Sequence, residues 1–480
     1  MSLGQAWRYL RLWLGHERHL TGNVRLIGEG KIALTLAVDG NQAAAVSGGS
    51  GELDKLEQQA AEQVFASVDP TNIVLYLRAN GRAAESLSAA ERAVQVANGP
   101  DAQADALGLW ADVTRILTGD MPLAHARAGR GVSANPKMIA GHREMMLTSF
   151  LMGHDEEALL QAQLMRILRN EDQLKAMRGR GFAQFAAEGT FERDVALGDF
   201  GHAISQDECL SCFAFSGGRA EFAARAHDGA ASRALAAEAV AGQSRGVGRT
   251  NLDLGIARNR YFSEVNVEDW LAAAASAHTY AQSIKADAIQ NPGMTAARLR
   301  ILADPLLAYA LARRGDIAGA QAMIDATPGD CYHCVRTRAL IAAATKQWGR
   351  ADYWFARATH DAPSIPFAYN DWGQSLLVRG KPNEAIVQFK MANQKGPHFA
   401  DPLEGWGEAL MAKNQSHLAL AKFAEAEKYA PNWGRLHLKW GEALGYVGKK
   451  EDARAQYQKA STLDLSPADK AEFARVSAHG

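Results

Sequence analysis

From Cys331 to Leu465 the sequence repeats itself every 34 residues, so the chain must build one supersecondary unit several times over. Ala351, Ala385, Ala419 and Ala453 are each followed four positions later by an aromatic ring, Phe355, Phe389, Phe423 and Tyr457. Three residues further on come Ala358, Ala392, Ala426 and Ala460. Pro363, Pro397 and Pro431 follow, with Leu465 in the last unit, and Trp372-Gly373, Trp406-Gly407 and Trp440-Gly441 stand upstream in the last three. The glycines and alanines are positions where two antiparallel helices can approach closely, and the ring fills the gap to the next pair. Proline cannot continue a helix and so ends each unit. A Trp stripe at this spacing reads as core.

The order Gly, Ala, aromatic, Ala, Pro at a 34-residue period resembles the tetratricopeptide repeat (TPR) family. Trp-Gly-Glu-Ala-Leu at 406–410 and 440–444 is similar to stretches of uncharacterised TPR proteins of proteobacteria. The usual TPR tryptophan stands three residues earlier than it does here. The resemblance implies a mainly α, helical-hairpin solenoid acting as a protein-protein interaction scaffold, with the first helix of each unit lining a concave groove. The groove positions correspond to Asn370, Gln374, Glu404, Glu408, Arg435, Lys439 and Glu442. These mixed charges and hydrogen-bonding groups suit a protein or peptide partner, and the three glutamates favour a basic one; Glu404 and Glu408 are expected to be exposed. A merely solvated face would carry the same residue types. The Lys and Asn arrangement with which chaperone-adaptor TPRs grip a C-terminal carboxylate is absent.

A solenoid also suits 480 residues, because it needs no single central core. The 52 basic and 53 acidic residues balance, which gives no basic face for nucleic acid. No apolar run reaches the ~18 residues of a membrane span, and Met1-Ser2-Leu3-Gly4 lacks a signal-peptide layout. A cytoplasmic protein is expected as the chain stands, or a periplasmic or membrane-associated one if an upstream segment is missing. Residues 1–19 form an amphipathic segment, with Trp7, Leu10, Trp13 and Leu14 beside Arg8 and Arg11. It reads as a helix docked on the first domain or as a peripheral membrane contact.

Residues 20–70 read as a small α+β domain. Ile32, Leu34, Leu36 and Val38 alternate as a half-buried strand, flanked by turn signals at Gly28-Glu29-Gly30 and Asp39-Gly40. Asn23 to Ile27 and Gln42 to Ser47 are its expected partners. Gly48-Gly49-Ser50-Gly51 is expected as a flexible connector into a helix that buries Leu53, Leu56, Ala60, Val64 and Phe65. Residues 71–294 read as degenerate helical pairs turning at Gly81, Gly119-Asp120, Gly153-His154 and Gly229, with a loop at Gln243 to Thr250. Residues 295–480 form the regular solenoid, turning first at Gly315-Asp316 and closed by a polar capping helix from Ser466 to Ala478.

All four cysteines fall in C-x-x-C pairs, Cys209/Cys212 and Cys331/Cys334, each just after an aspartate near a helix start. A disulfide or packed thiol pair within each motif is the leading reading. A thiol-based redox or metal-binding role is the alternative to the scaffold, although a four-thiolate zinc site would need the pairs to meet across more than a hundred residues. Phe213 and Val335 stand where haem attachment needs histidine. No catalytic motif is found: no helical zinc-protease pair, nucleophile elbow, phosphate loop or dinucleotide fingerprint. The expectation is a non-enzyme without a cofactor.

Overall fold

The computed structural model describes residues 19–28, 30–169, 182–205, 218–241, 249–289 and 291–477, with the backbone alone at 169, 182–186, 249–251 and 477. The amphipathic segment before residue 19, Cys209, Cys212 and residues 243–248 of the expected loop lie outside that range. The chain forms two compact units, one running to Thr114 and including Ala126–Met138, the other comprising Arg115–His125 and the chain from Ile139 onward.

In the first unit β1 (Leu20–Gly28), β2 (Lys31–Val38) and β3 (Asn41–Gly49) form an antiparallel sheet in that order. Asp39 and Gly40 both take positive φ, as a tight hairpin turn requires. Leu34 and Ala44 pack on Ala60 and Val64 of the helix Leu53–Val68. Two expectations are corrected here. Gly48 and Gly49 are not a connector but the end of β3, pairing with Ile32 and Lys31; a Cβ on Gly48 would press on Leu56 at 3.1 Å. Leu53 lies at the exposed start of the helix rather than on its buried face.

The second unit is built of helical hairpins whose turns share one backbone device. Gly119, Gly153, Gly198, His227, Glu268, Gly315, Lys346, Gly380, Asn414 and Gly448 each have positive φ where the first helix ends. At Gly380, for example, the turn residue's N–H donates to Leu377 C=O and the next residue's N–H to Leu376 C=O, the Schellman closure. Where that next residue is aspartate it also caps the second helix: Asp120, Asp199, Asp228, Asp269 and Asp316 each accept a backbone N–H three residues on. The turn expected at Gly229 falls two residues earlier, at His227, and Gly229 opens the helix Gly229–Ala241.

The most regular hairpins pair Tyr332–Ala344 with Trp348–Asp361, Phe367–Val378 with Pro382–Lys395, Ala400–Ala412 with Ser416–Glu427, and Gly434–Tyr446 with Lys450–Ser461; Pro467–Ser477 closes the array. The 34-residue glycine and aromatic seat one another. A Cβ on Gly373, Gly407 or Gly441 would lie 2.6, 2.5 and 2.5 Å from the ring of Phe389, Phe423 or Tyr457 in the same hairpin. Phe389 is also met by Gly405 of the following hairpin, so its ring fills both gaps. Phe355, Phe389 and Phe423 are wholly buried among the repeated alanines. The tryptophans lie half-buried at the edge of this core, with Trp372 Nε1 donating to Asp352 (2.9 Å).

Contacts in this unit are not confined to adjacent hairpins. The unit folds back on itself, and turns of its earlier hairpins dock on loops of its later ones. Gly153 abuts Cys331, Gly198 abuts the Phe399 ring and Gly119 abuts Gly293. The His227 ring stacks on Trp433 at 3.8 Å, Asn432 donates to Asp228 (2.7 Å), and Arg233 pairs with Asp464 (2.8 Å). Behind this seam Leu159, Phe191, Phe200 and Phe222 share one core with Tyr332, Val335, Phe367 and Phe399.

Candidate functional site

The 34-residue period places Asn370 and Glu404 at equivalent points of successive first helices, and Gln374, Glu408 and Glu442 one turn further along. Five of the seven expected residues meet in one ion network. Arg435 donates to Glu408 (2.6 Å) and Asp469 (2.7 Å), and its Nε lies 3.3 Å from Glu404 Oε1. Lys439 donates to Glu442 (3.3 Å) and Glu472 (2.5 Å). Gln374 lies half-buried beside Gly405, and Asn370 makes no part of the network. Asp469 and Glu472 belong to the closing helix and were not singled out from sequence. Their signal was available, since Asp469 stands 34 residues after Arg435. The same face continues upstream as the pair Arg336–Asp371 (2.6 Å).

The expectation that Glu404 and Glu408 are exposed is corrected. Glu404 is 1 % exposed and the Glu408 side chain 17 %, Asn370 and Lys439 are buried as well, and the Arg435 side chain is the most open of the network. Neighbouring first helices and the closing helix cover them, which the sequence period does not reveal. Burial has electrostatic consequences. Burial, reinforced by the Glu408 charge, holds the Glu404 carboxyl well above the usual carboxylate range. Burial would raise Glu408 too, but Arg435 outweighs it and brings Glu408 down. Burial and the hydrogen bond with Glu472 push Glu442 up to about 7. The network thus holds five carboxyls against two cations; buried Asn370 Oδ1 is left without a donor, and buried Glu404 Oε1 receives no hydrogen bond beyond its ion pair with Arg435.

The cysteine pair Cys331/Cys334 is a disulfide at the start of the helix Tyr332–Ala344, with Cys331 Sγ also capping the Cys334 N–H. Both residues are fully buried, Cys331 against Gly153, a setting for packing rather than for exchange with a solvent thiol. No helix among the described residues is long and apolar enough to cross a membrane.

The recurrence of left-handed turns at Lys346, Gly380, Asn414 and Gly448, each 34 residues from the last, together with the glycine-on-ring packing, decides the architecture. The repeats are TPR-like. No family model and no curated protein matches the chain. Among solved structures, MamA (MSR-1, C2) matches at 20% identity over 35% of this chain and 97% of its own, with a TM-score of 0.28. Yeast Tom70 matches at 10% identity over 86% and 95%, TM-score 0.41, and the anaphase-promoting-complex assembly Cut9-Hcn1 at 11% over 89% and 94%, TM-score 0.42. At these identities and scores the TPR-like assignment stands on the repeat geometry of the chain itself.

Proposed function

We propose that the protein is an interaction scaffold that holds a protein or peptide partner along the first helices of its last three hairpins, within the regular region 295–480. The observation that carries this reading is the excess of acceptors on that face. Five carboxyls face two cations; Asn370 Oδ1 lacks a donor, and Glu404 Oε1 has only the Arg435 ion pair at 3.3 Å. A lysine or arginine side chain of a partner supplies donors and positive charge together. Entry is at the open rim, where Arg435 and Glu472 are 36% and 23% exposed; Glu404 and Asn370 form its floor.

The test is affinity capture from the source cell with the full chain as bait, followed by binding measurements on the recovered partner. Binding should weaken with salt, as exposed charge pairing does. It should fall when Glu472→Gln and Glu442→Gln are combined, with the circular dichroism spectrum unchanged. Capture that is insensitive to both salt and the double variant refutes this face as the site.

A further inference from the structure

The turn Gly198-Asp199, which docks on Phe399, carries side chains that the partner face does not use. Asp194 lies fully buried near the end of the helix Phe182–Leu197, Asp199 caps the next helix, Phe200–Ser205, and His202 lies within it. One ligand atom from each falls within 4.8 Å of the other two, and among the described residues this is the one such group of three. From across the seam His398 reaches the same cluster, its Nδ1 lying 2.7 Å from Asp199 Oδ2. We propose that Asp194, Asp199 and His202 form a three-ligand binding site for a divalent metal ion of the zinc type, with His398 as a positioning residue that holds the Asp199 carboxylate.

One imidazole nitrogen and two carboxylate oxygens are a donor set that zinc accepts, with the fourth position of the tetrahedron open to solvent. The positions are fixed independently of any ion. Asp199 N–H donates to Asp194 C=O (2.8 Å), His202 N–H to Asp199 Oδ1 (3.3 Å), and the absence of a side chain on Gly198 lets Phe399 seat against the turn. Arg193 occupies Asp194 Oδ1 (2.8 Å), which leaves Oδ2, now 2.6 Å from His202 Nδ1, as the ligand atom. A metal ion would take the place of the proton between these atoms. Both histidines are half-exposed, at 52% and 53%, so the ion has an entry path, while Asp194 forms a buried floor and Asp199 is partly covered.

Ligand count separates this site from the rest of the seam. The pairs His154–Asp330, His333–Asp155 and His227–Asp401 each bring one imidazole to one carboxylate, too few to hold an ion. The Asp199 group alone gathers three donors, and His398 reaches one of them from across the seam. A bound ion would therefore be coupled to a late hairpin through the Asp199–His398 hydrogen bond.

The experiment uses the untagged full chain, stripped with chelator, exchanged into buffer and titrated with ZnCl2 by calorimetry, with bound metal counted after gel filtration. One zinc ion per chain is expected, together with a higher melting temperature. His202→Gln and His398→Gln should each weaken binding more than about tenfold. His333→Gln should bind as the parent does. Both substituted histidines are half-exposed, and unchanged circular dichroism confirms that the variants fold. The proposal is overturned if the parent keeps no zinc, if His202→Gln binds as tightly as the parent, or if replacing Cys209 and Cys212 by Ser abolishes binding. Full affinity in His398→Gln overturns its positioning role.

Discussion

Replacing Gly407 by Ala tests the glycine-on-ring packing at its tightest point. The added Cβ would stand 2.5 Å from Phe423 Cε1 and 2.7 Å from Cζ. Carbon atoms pack at about 3.5–4.0 Å, so the ring must retreat by roughly 1 Å. Phe423 is wholly buried among Ala419, Ala426 and Leu403, so it has no room to do so. Overpacking of this kind costs roughly 1–3 kcal/mol. Against it stands the gain of about 1 kcal/mol from placing Ala rather than Gly in a helix. Gly445→Ala isolates the second effect, because the nearest atom to its new Cβ is Tyr457 Oη at 3.9 Å. The measurement is equilibrium urea unfolding followed by circular dichroism. Gly445→Ala should match or exceed the parent, and Gly407→Ala should fall below Gly445→Ala by roughly 1–3 kcal/mol. Equal stability of the two variants refutes the packing argument.

Ala419→Leu, at another fully buried repeat position, should cost roughly 1–3 kcal/mol by the same assay, and an unchanged midpoint would contradict its assignment to the core. Lys346→Gly and Glu268→Gly should each stabilise by up to about 1 kcal/mol, since both residues hold positive φ that glycine adopts without strain; a loss of stability would show that their side chains matter more than the turn. Glu442, with its carboxyl raised to about 7, binds its proton more tightly folded than unfolded, so its contribution to stability is lost as pH rises from about 4.5 through 7. Glu442→Gln should therefore gain on the parent between pH 5 and pH 8, and a pH-independent difference would refute the raised value.

Much of the fold was legible because it rests on local chemistry. The alternation of Ile32 to Val38 gives β2, Gly119-Asp120 and Gly315-Asp316 pair a left-handed turn with a helix cap, and the 34-residue spacing gives the regular hairpins. Turns at His227, Glu268, Lys346 and Asn414 escaped notice because the same backbone conformation is held there without glycine. At the candidate site, the period identified which residues share a face but not that the face is covered. Glu404 is buried by neighbouring first helices and the closing helix, an outcome of packing across hairpins rather than of any one repeat. The seam was invisible for a related reason. It joins residues such as Gly198 and Phe399, remote in sequence, and no periodic pattern marks such a meeting.

That seam changes what kind of object the second unit is. In an array where each repeat touches only its neighbours, stability is a sum of local terms, and ends fray while the middle holds. Here Gly153 rests on Cys331, His227 on Trp433 and Arg233 on Asp464, so an early hairpin cannot detach without uncovering a late one. Such long-range closures are slow to form, because much chain entropy is given up before they are reached. Once formed they bind distant hairpins into one cooperative block that melts together rather than unzipping from its termini.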